Sequence, residues 1–366
     1  MQRVADLDTP SMVVDLDKLE ANIQRLQASL DSLGLANRPH IKTHKIPAIG
    51  HMQIAAGAKG ITCQKLGEAE IFADAGFDDI LIPYNLVGAP KMERLTRLAR
   101  RVKMTVAVDG AVAARAIAEA CDAAGVEVTL LIEVDTGMHR AGVQSPEDAQ
   151  TLARAIADSP GVRFGGLMCY PTKPAMVAFH AEVRDRLTRD GIPLEQFSGG
   201  GTGAQQVSKD AGCTEHRSGT YSYNDLSVWR AGNCELDQCA MSVLVTVVST
   251  SCPGFSTIDG GSKTFTNDAL QTTGVNGYVR EFPEIYLEKM SEEHGVLNLS
   301  RLTDASARPR VGDKIHVIPN HACGTTNLHD VVYGYRAHGS RPGDGTLSGD
   351  ELIEVEWPVP ARGKIR

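Results

Sequence analysis

Along the first two thirds of the chain, apolar residues recur in two alternating patterns: short continuous runs, and longer stretches with helical spacing. Leu19, Ile23, Leu26, Leu30 and Leu33 return at steps of four and three and form one helical stripe. Asp17 can cap this helix, with Glu20 three residues on in the capping-box position. The runs His40–Lys42, Gly60–Cys63, Ile80–Pro83, Met104–Val108, Val126–Val134, Phe164–Cys169, Gln196–Ser198 and Thr214–Ser218 read as strands. Helical periods fill the intervals, clearest at Gly67–Ala75, Lys91–Arg101, Ala111–Ala124, Pro146–Asp158 and Val177–Arg189. Eight strands with intervening helices predict an α/β fold, a (β/α)8 TIM-type barrel rather than an open doubly wound sheet. In such barrels the active site lies at the C-terminal ends of the strands.

After about Asn233 the pattern changes. Ser242–Ser251, Phe255–Asp259, Lys314–Pro319, Val331–Tyr335 and Glu351–Trp357 read as strands between Gly-, Pro-, Asn- and Asp-rich breaks. Ser11–Val14 falls outside the eight barrel strands and is assigned to this mainly β domain. The expected division is a barrel over 16–235 and a β domain over 236–366 that also takes in 1–15. The Gly-, Ser- and Pro-rich stretch Gly339–Gly349 reads as an exposed loop.

Composition narrows the classes. With 42% hydrophobic and 22% charged residues in 366, the chain is globular, not disordered or fibrous. A net charge of −8 without a basic cluster argues against a nucleic-acid partner. No apolar run is long enough to span a bilayer, and the opening MQRVADLDTPSMVVDLD lacks a signal-peptide layout, so no membrane association and a cytoplasmic location are expected. Eight scattered cysteines without a CxxC pair read as thiols in a reducing compartment.

Several residues at the predicted strand ends carry chemistry. His40-Ile41-Lys42-Thr43-His44-Lys45 puts two lysines and two histidines at the rim, and strand alternation separates Lys42 from Thr43. A lysine in a cationic, partly desolvated setting is a better nucleophile toward carbonyls, whereas a solvated or phosphate-binding basic patch is the plainer reading. Gly199-Gly200-Gly201-Thr202-Gly203 follows the seventh strand, and Ser218-Gly219-Thr220-Tyr221 the eighth, where barrel phosphate sites are often built. Arg140, after the fifth strand, can hold an anion or phenolate oxygen or simply pair with an aspartate, and Tyr170 can donate a proton or stack on a ring. Gln64 and Tyr84 end the second and third strands. His321 and Cys323, two apart on a segment read as extended, can share a metal whose other positions fall to water or substrate.

In combination these pieces resemble the fold-type III pyridoxal-phosphate enzymes, specifically the D-threonine aldolase and D-serine dehydratase family. The matching segments are Asp8-Thr9-Pro10, His40-x-Lys42-x-His44-Lys45, Gly60 to Lys65, Glu133-Val134-Asp135 with Arg140, Gly199 to Gly203, Gly219 with Tyr221, Glu293-His294-Gly295 and His321-x-Cys323. They run in order through nearly the whole chain. The resemblance implies a homodimer of barrels with C-terminal β domains, and a Schiff-base role for Lys42. It implies that His40, Gln64, Arg140 and Tyr170 surround the cofactor, with Arg140 on its ring oxygen and Tyr170 and His44 among the catalytic residues. It places the phosphate at Gly200, Gly201, Thr202 and Gly203 and at Ser218, Gly219, Thr220 and Tyr221. It makes His321 and Cys323 ligands of a divalent metal, zinc first, with manganese or magnesium as alternatives.

The implied activity is lysis of small D-β-hydroxy-α-amino acids. Retro-aldol cleavage of the D-threonine type, to glycine and an aldehyde, is the first expectation. Dehydration of D-serine or D-3-hydroxyaspartate with zinc is the alternative. Aldolase-type members carry His-x-Asp at the metal and dehydratase-type members His-x-Cys, as here. The ending Trp357 to Lys364 and the run Asn327-Leu328-His329-Asp330 look aldolase-like. Some aldolases have a His directly after the strand-six tyrosine, where this chain has Pro171. Racemisation, a non-catalytic pyridoxal-phosphate carrier and a plain metal hydrolase are the remaining readings.

Overall fold

The computed structural model describes residues 2–304, 308–336 and 351–366. The chain separates into two compact units: Met1–Ile23, Thr43–Ile46 and Thr220–Arg362 form one, and Gln24–Lys42, Pro47–Gly219 and Gly363–Arg366 the other. The first strand, β1 (Ser11–Asp15), leads into helix α1 (Leu16–Leu33). Asp15, not Asp17, caps this helix, its Oδ1 accepting the Lys18 amide at 3.2 Å. Asp17 and Glu20 instead bind Arg336, so the expected capping box is an ion-pair cluster. The predicted stripe holds: Leu19, Ile23, Leu26 and Leu30 are buried and Leu33 is half-buried.

The second unit is the barrel. Its strands are β2 (Ala36–Asn37), β3 (Ile61–Thr62), β4 (Asp79–Ile82), β5 (Lys103–Val108), β6 (Val128–Val134), β7 (Val162–Cys169), β8 (Gln196–Gly200) and β9 (Glu215–Arg217). All pair in parallel, in the order β2-β9-β8-β7-β6-β5-β4-β3, and a bridge between His40 and Thr62 joins the two ends. The connecting helices include α2 (Pro47–Ala55), α3 (Leu66–Asp74), α4 (Ala89–Ala99), α5 (Ala111–Ala124), α6 (Pro146–Ala157), α7 (Met176–Arg189) and α8 (Gln205–Asp210). The β/α alternation is thus the (β/α)8 arrangement, and Leu81, Ala107, Leu131 and Met168 from four successive strands pack as one buried cluster. The first strand differs from expectation. It ends at Asn37, His40 makes only the closing bridge, and Ile41–Thr43 is a turn of 3-10 helix. Lys42 therefore projects from a turn beyond the strand, and the alternation argument for its direction does not apply.

The remaining strands are β10 (Met241–Ser249), β11 (Phe255–Ile258), β12 (Gly277–Val279), β13 (Tyr286–Met290), β14 (Gly295–Asn298), β15 (Lys314–Pro319), β16 (Val331–Arg336) and β17 (Leu352–Pro358). With β1 they form a nine-stranded sheet, β11-β14-β13-β12-β15-β10-β1-β16-β17, and a further β10–β11 pairing closes six of its strands into a ring. β1 pairs with β10 and β16, as its assignment to the β domain requires. β12, β13 and β14 were not legible as strands, and the loop expected at Gly339–Gly349 lies outside the described residues. All eight cysteines are free thiols. Among the described residues, no helix is long and apolar enough to cross a membrane.

Candidate active site

In the barrel unit, Lys42 sits half-buried on its turn, its Nζ 6.0 Å from the centroid of the Tyr170 ring. The Arg140 guanidinium lies 5.7 Å from the same ring, so two cations from different strand ends meet one exposed aromatic. His40 accepts the Lys42 amide on Nδ1 at 3.5 Å and donates from Nε2 to Gln64 Oε1 at 3.0 Å. Burial, with Lys42 adding to it, holds the His40 ring well below the usual imidazole range, so it stays neutral in this tautomer. Glu133 lies 3.6 Å from Arg140, and burial raises its carboxyl despite that neighbour. The structure thus places Lys42, His40, Gln64, Arg140 and Tyr170, all expected around the cofactor, near one another at the strand ends.

The glycine-rich segment continues β8. Gly200 O accepts the Thr172 amide at 2.9 Å, and the Gly201 amide donates to Arg217 O at 3.0 Å. His216 Nε2 is 3.1 Å from Gly201 O and 2.9 Å from Ser218 Oγ, while Nδ1 meets Ser208 Oγ at 2.9 Å. Burial, reinforced by Arg217, lowers His216 to about 4, so it braces the loop as a neutral ring. Among the described residues, the Thr202 and Gly203 amides have no intramolecular acceptor. Two free amides on a braced, small-residue turn fit the oxygens of a phosphate. Ser218 is buried here and Gly219 is half-exposed.

The other unit contains Thr220 and Tyr221, which open a second 3-10 turn, and the His–Cys pair. His321 ends an extended segment, but Ala322–Thr326 is a short helix, so the pair is not the extended run expected from sequence. The turn is held by buried Asp225, which accepts the Ala322 amide at 2.7 Å. His321 Nδ1 donates to Asp268 Oδ2 at 2.8 Å. Burial works against a charged ring, but Cys323, Asp225 and Asp268 outweigh it and raise His321 to about 10. Cys323 Sγ is 3.1 Å from Thr43 Oγ1 and 3.6 Å from Thr220 Oγ1. An imidazole, a thiol and a carboxylate behind the imidazole suit a thiophilic divalent ion such as zinc. Among the described residues, no group of three or more His, Cys, Asp or Glu side chains is arranged to hold a metal ion, so His321 and Cys323 would be at most two of its ligands.

His44, expected among the catalytic residues, is fully buried. It accepts the Ile46 amide on Nδ1 at 3.1 Å and packs edge-on to Tyr223, which is a structural task. Three residues escaped the sequence reading: Asp268, Asp225 and Arg217. Arg217 donates to Ser198 Oγ at 2.8 Å and Cys169 O at 2.7 Å and so ties three strand ends together. Its place at the end of the eighth barrel strand was the available signal. Asp268 lies 53 residues from its histidine partner, and no spacing rule reaches it.

Two family profiles match the chain: alanine racemase, N-terminal domain, over residues 14–226, and putative serine dehydratase domain over residues 240–335. A D-threonine aldolase of Arthrobacter sp is 33% identical, covering 99% of this chain and 95% of that protein. A D-threo-3-hydroxyaspartate dehydratase of Delftia sp. (strain HT23) is 32% identical, covering 91% and 96%. The crystal structure of D-threonine aldolase from Filomicrobium marinum superposes with a TM-score of 0.86 at 32% identity, covering all of both chains. On the strength of its barrel, its β domain and these matches, the chain belongs to the D-threonine aldolase and D-serine dehydratase family of fold-type III pyridoxal-phosphate enzymes.

Proposed function

We propose that this chain is a pyridoxal-phosphate- and divalent-metal-dependent lyase that cleaves D-β-hydroxy-α-amino acids to glycine and an aldehyde, as a homodimer. The observation that carries the reading is the Lys42, Tyr170 and Arg140 group at the strand ends, backed by the free Thr202 and Gly203 amides. Relatives that are aldolases, over almost the whole chain, support the reaction type.

Bound pyridoxal phosphate supplies an electron sink for the pair left on Cα when a bond to it breaks. Lys42 would be the residue that holds the cofactor at its aldehyde carbon, its side-chain amine being the nucleophile. Arg140 would meet the cofactor's ring oxygen with a fixed positive charge, and Glu133 beside it steadies the guanidinium. His40, neutral and tied to Gln64, fixes the turn that bears Lys42 without adding a further charge. The Thr202 and Gly203 amides would donate to the phosphate. A divalent metal lowers the pKa of a hydroxyl bound to it. His321 and Cys323 would hold that ion, with Asp268 on Nδ1 orienting the imidazole.

One observation favours the dehydratase outcome. Cys323 puts a thiol where the resemblance associates aldolases with a carboxylate. Product analysis decides between them. Incubation with pyridoxal phosphate, zinc or manganese, and D-threonine is expected to give glycine and acetaldehyde. 2-Oxobutanoate and ammonia would establish the dehydratase instead.

The metal pair makes a separate prediction. His321→Ala or Cys323→Ala should remove stoichiometric metal, read by elemental analysis after dialysis, and lower turnover at least about 100-fold. Asp268→Asn should weaken metal affinity about 10- to 100-fold, the usual effect of losing an orienting partner. Full metal content in both ligand variants would move the metal elsewhere.

A further inference from the structure

A cavity of about 580 Å3 opens in the barrel unit next to the Lys42 group, and Gln64, Glu133 and Arg140 belong to both. Its other charged walls are Lys65, Lys91, Asp109 and Arg366. The acids are already engaged. Asp109 accepts the Gly142 amide at 3.1 Å, and Glu133 lies beside Arg140. The cations beyond Arg140 are not neutralised. Lys65 Nζ sits 3.6 Å from the centroid of the Tyr84 ring, and Lys91 Nζ reaches only the Val87 carbonyl at 3.3 Å. Among the described residues, Lys65, Lys91 and Arg366 have no carboxylate partner.

The basic residues near the N-terminal ends of the strands behave differently. Arg94 pairs with Glu70 at 2.7 Å, Arg101 with Asp74 at 2.6 Å and Arg163 with Glu195 at 2.5 Å. Those cations already have carboxylate partners and require no ligand. In the recess four cations, Lys65, Lys91, Arg140 and Arg366, face two carboxylates, Asp109 and Glu133, and a net positive concavity beside a reacting group is how a protein receives an anion.

Arg366 reaches the recess through a specific packing. The Gly67 amide donates to Arg366 O at 2.9 Å, and a Cβ at Gly67 would lie 2.8 Å from that oxygen and 3.1 Å from Lys364 Cβ. The missing side chain lets residues 363–366 lie on the start of α3 and brings Ile365 and Arg366 to the rim.

We propose that this recess binds a carboxylate of the substrate, with Lys65 as its main contact and Arg366 as a second. The proposal rests on the lyase reading above. Two carboxylates share this chemistry: the α-carboxylate of every amino-acid substrate, and the β-carboxylate of a 3-hydroxyaspartate. Lys65→Met keeps an unbranched side chain at this position and removes the charge.

The test uses wild-type, Lys65→Met, Lys65→Arg and Arg366→Ala holoenzymes. KM and kcat are measured with D-threonine and with 3-hydroxy-D-aspartate, and malonate binding by calorimetry. Lys65→Met should raise KM about tenfold or more with kcat within about twofold, weaken malonate by a similar factor, and be largely rescued by Lys65→Arg. A rise for both substrates assigns the α-carboxylate, and a rise for 3-hydroxy-D-aspartate alone assigns the β-carboxylate. Unchanged KM and unchanged malonate binding in Lys65→Met overturn the proposal. If the wild type turns over neither substrate, the lyase reading falls, and the malonate measurement alone still decides whether the recess is a carboxylate site.

Discussion

Lys42→Ala is expected to lower turnover of any D-β-hydroxy amino acid by on the order of 10^4-fold or more, and to abolish the visible absorption that cofactor covalently held by the protein gives. The size follows from what Lys42 alone can do. Within its unit, Arg140 is a guanidinium that does not form carbonyl adducts at neutral pH, and His40 is held neutral with both ring nitrogens occupied. Lys42→Arg keeps the charge near Tyr170 and should fail equally, which separates a covalent role from an electrostatic one. The Thr202 and Gly203 amides proposed to hold the phosphate do not depend on Lys42, so the variant should still take up cofactor weakly and lose it on dialysis. Retained absorption and turnover within tenfold of wild type would remove Lys42 from the chemistry.

That lysine was legible in the sequence, but the geometry around it was not. Lys42 beside two histidines and His321 near Cys323 stood out as candidates by residue type, but the roles assigned to them came only with the family resemblance. The barrel strands with continuous apolar runs, such as Val128–Val134, were equally plain because a strand buried on both faces has no polar alternation to disguise it. The strand expected at His40–Lys42 failed for the opposite reason. β2 has two residues, so neither period nor composition had length enough to mark where it stops. In the β domain, β12 has three residues and the β13–β14 pairing carries a bulge between Leu287 and Lys289, which breaks the period of two. Asp268 and Asp225 were invisible because their roles arise only when distant segments fold onto the His321 turn. His44 misled by proximity: two residues from Lys42, it faces the interior, where its ring completes packing against Tyr223.

The same short strands explain where the barrel depends on side chains. β2 and β3 are the two ends of the parallel sheet, and one bridge at His40 and Thr62 joins them. Arg38, almost fully buried, spans this seam. It donates to Asp79 Oδ1 at 2.6 Å at the start of β4 and to Glu215 Oε2 at 3.0 Å at the start of β9. Gly60 leaves room for it, since a Cβ there would stand 2.6 Å from the guanidinium. Glu215 also takes Lys59 at 2.6 Å and the Ser198 hydroxyl at 2.6 Å. Burial would raise its carboxyl, but Arg38 and Lys59 more than offset this and lower it from 4.5 to about 2.

Arg38→Met is therefore expected to cost about 3–5 kcal/mol, because it strands a buried carboxylate, with Lys59 holding the loss toward the lower end. Glu215→Gln should cost a similar amount near neutral pH. The Arg38→Met, Glu215→Gln double variant should lose much less than the sum, since no unpaired charge is left inside. The pH dependence has a defined sign. The folded-state value of Glu215 is depressed, so its contribution, about 3 kcal/mol, is full above the unfolded value near 4.5 and is lost as pH falls toward 2. Denaturant unfolding at pH 7 and pH 3 should thus show the gap between wild type and Glu215→Gln narrowing in acid. A gap independent of pH would assign the loss to shape rather than charge. Arg38 lies two residues before His40 and four before Lys42, so loosening this seam should also free the turn that aims Lys42, and kcat should fall in Arg38→Met before the fold is lost.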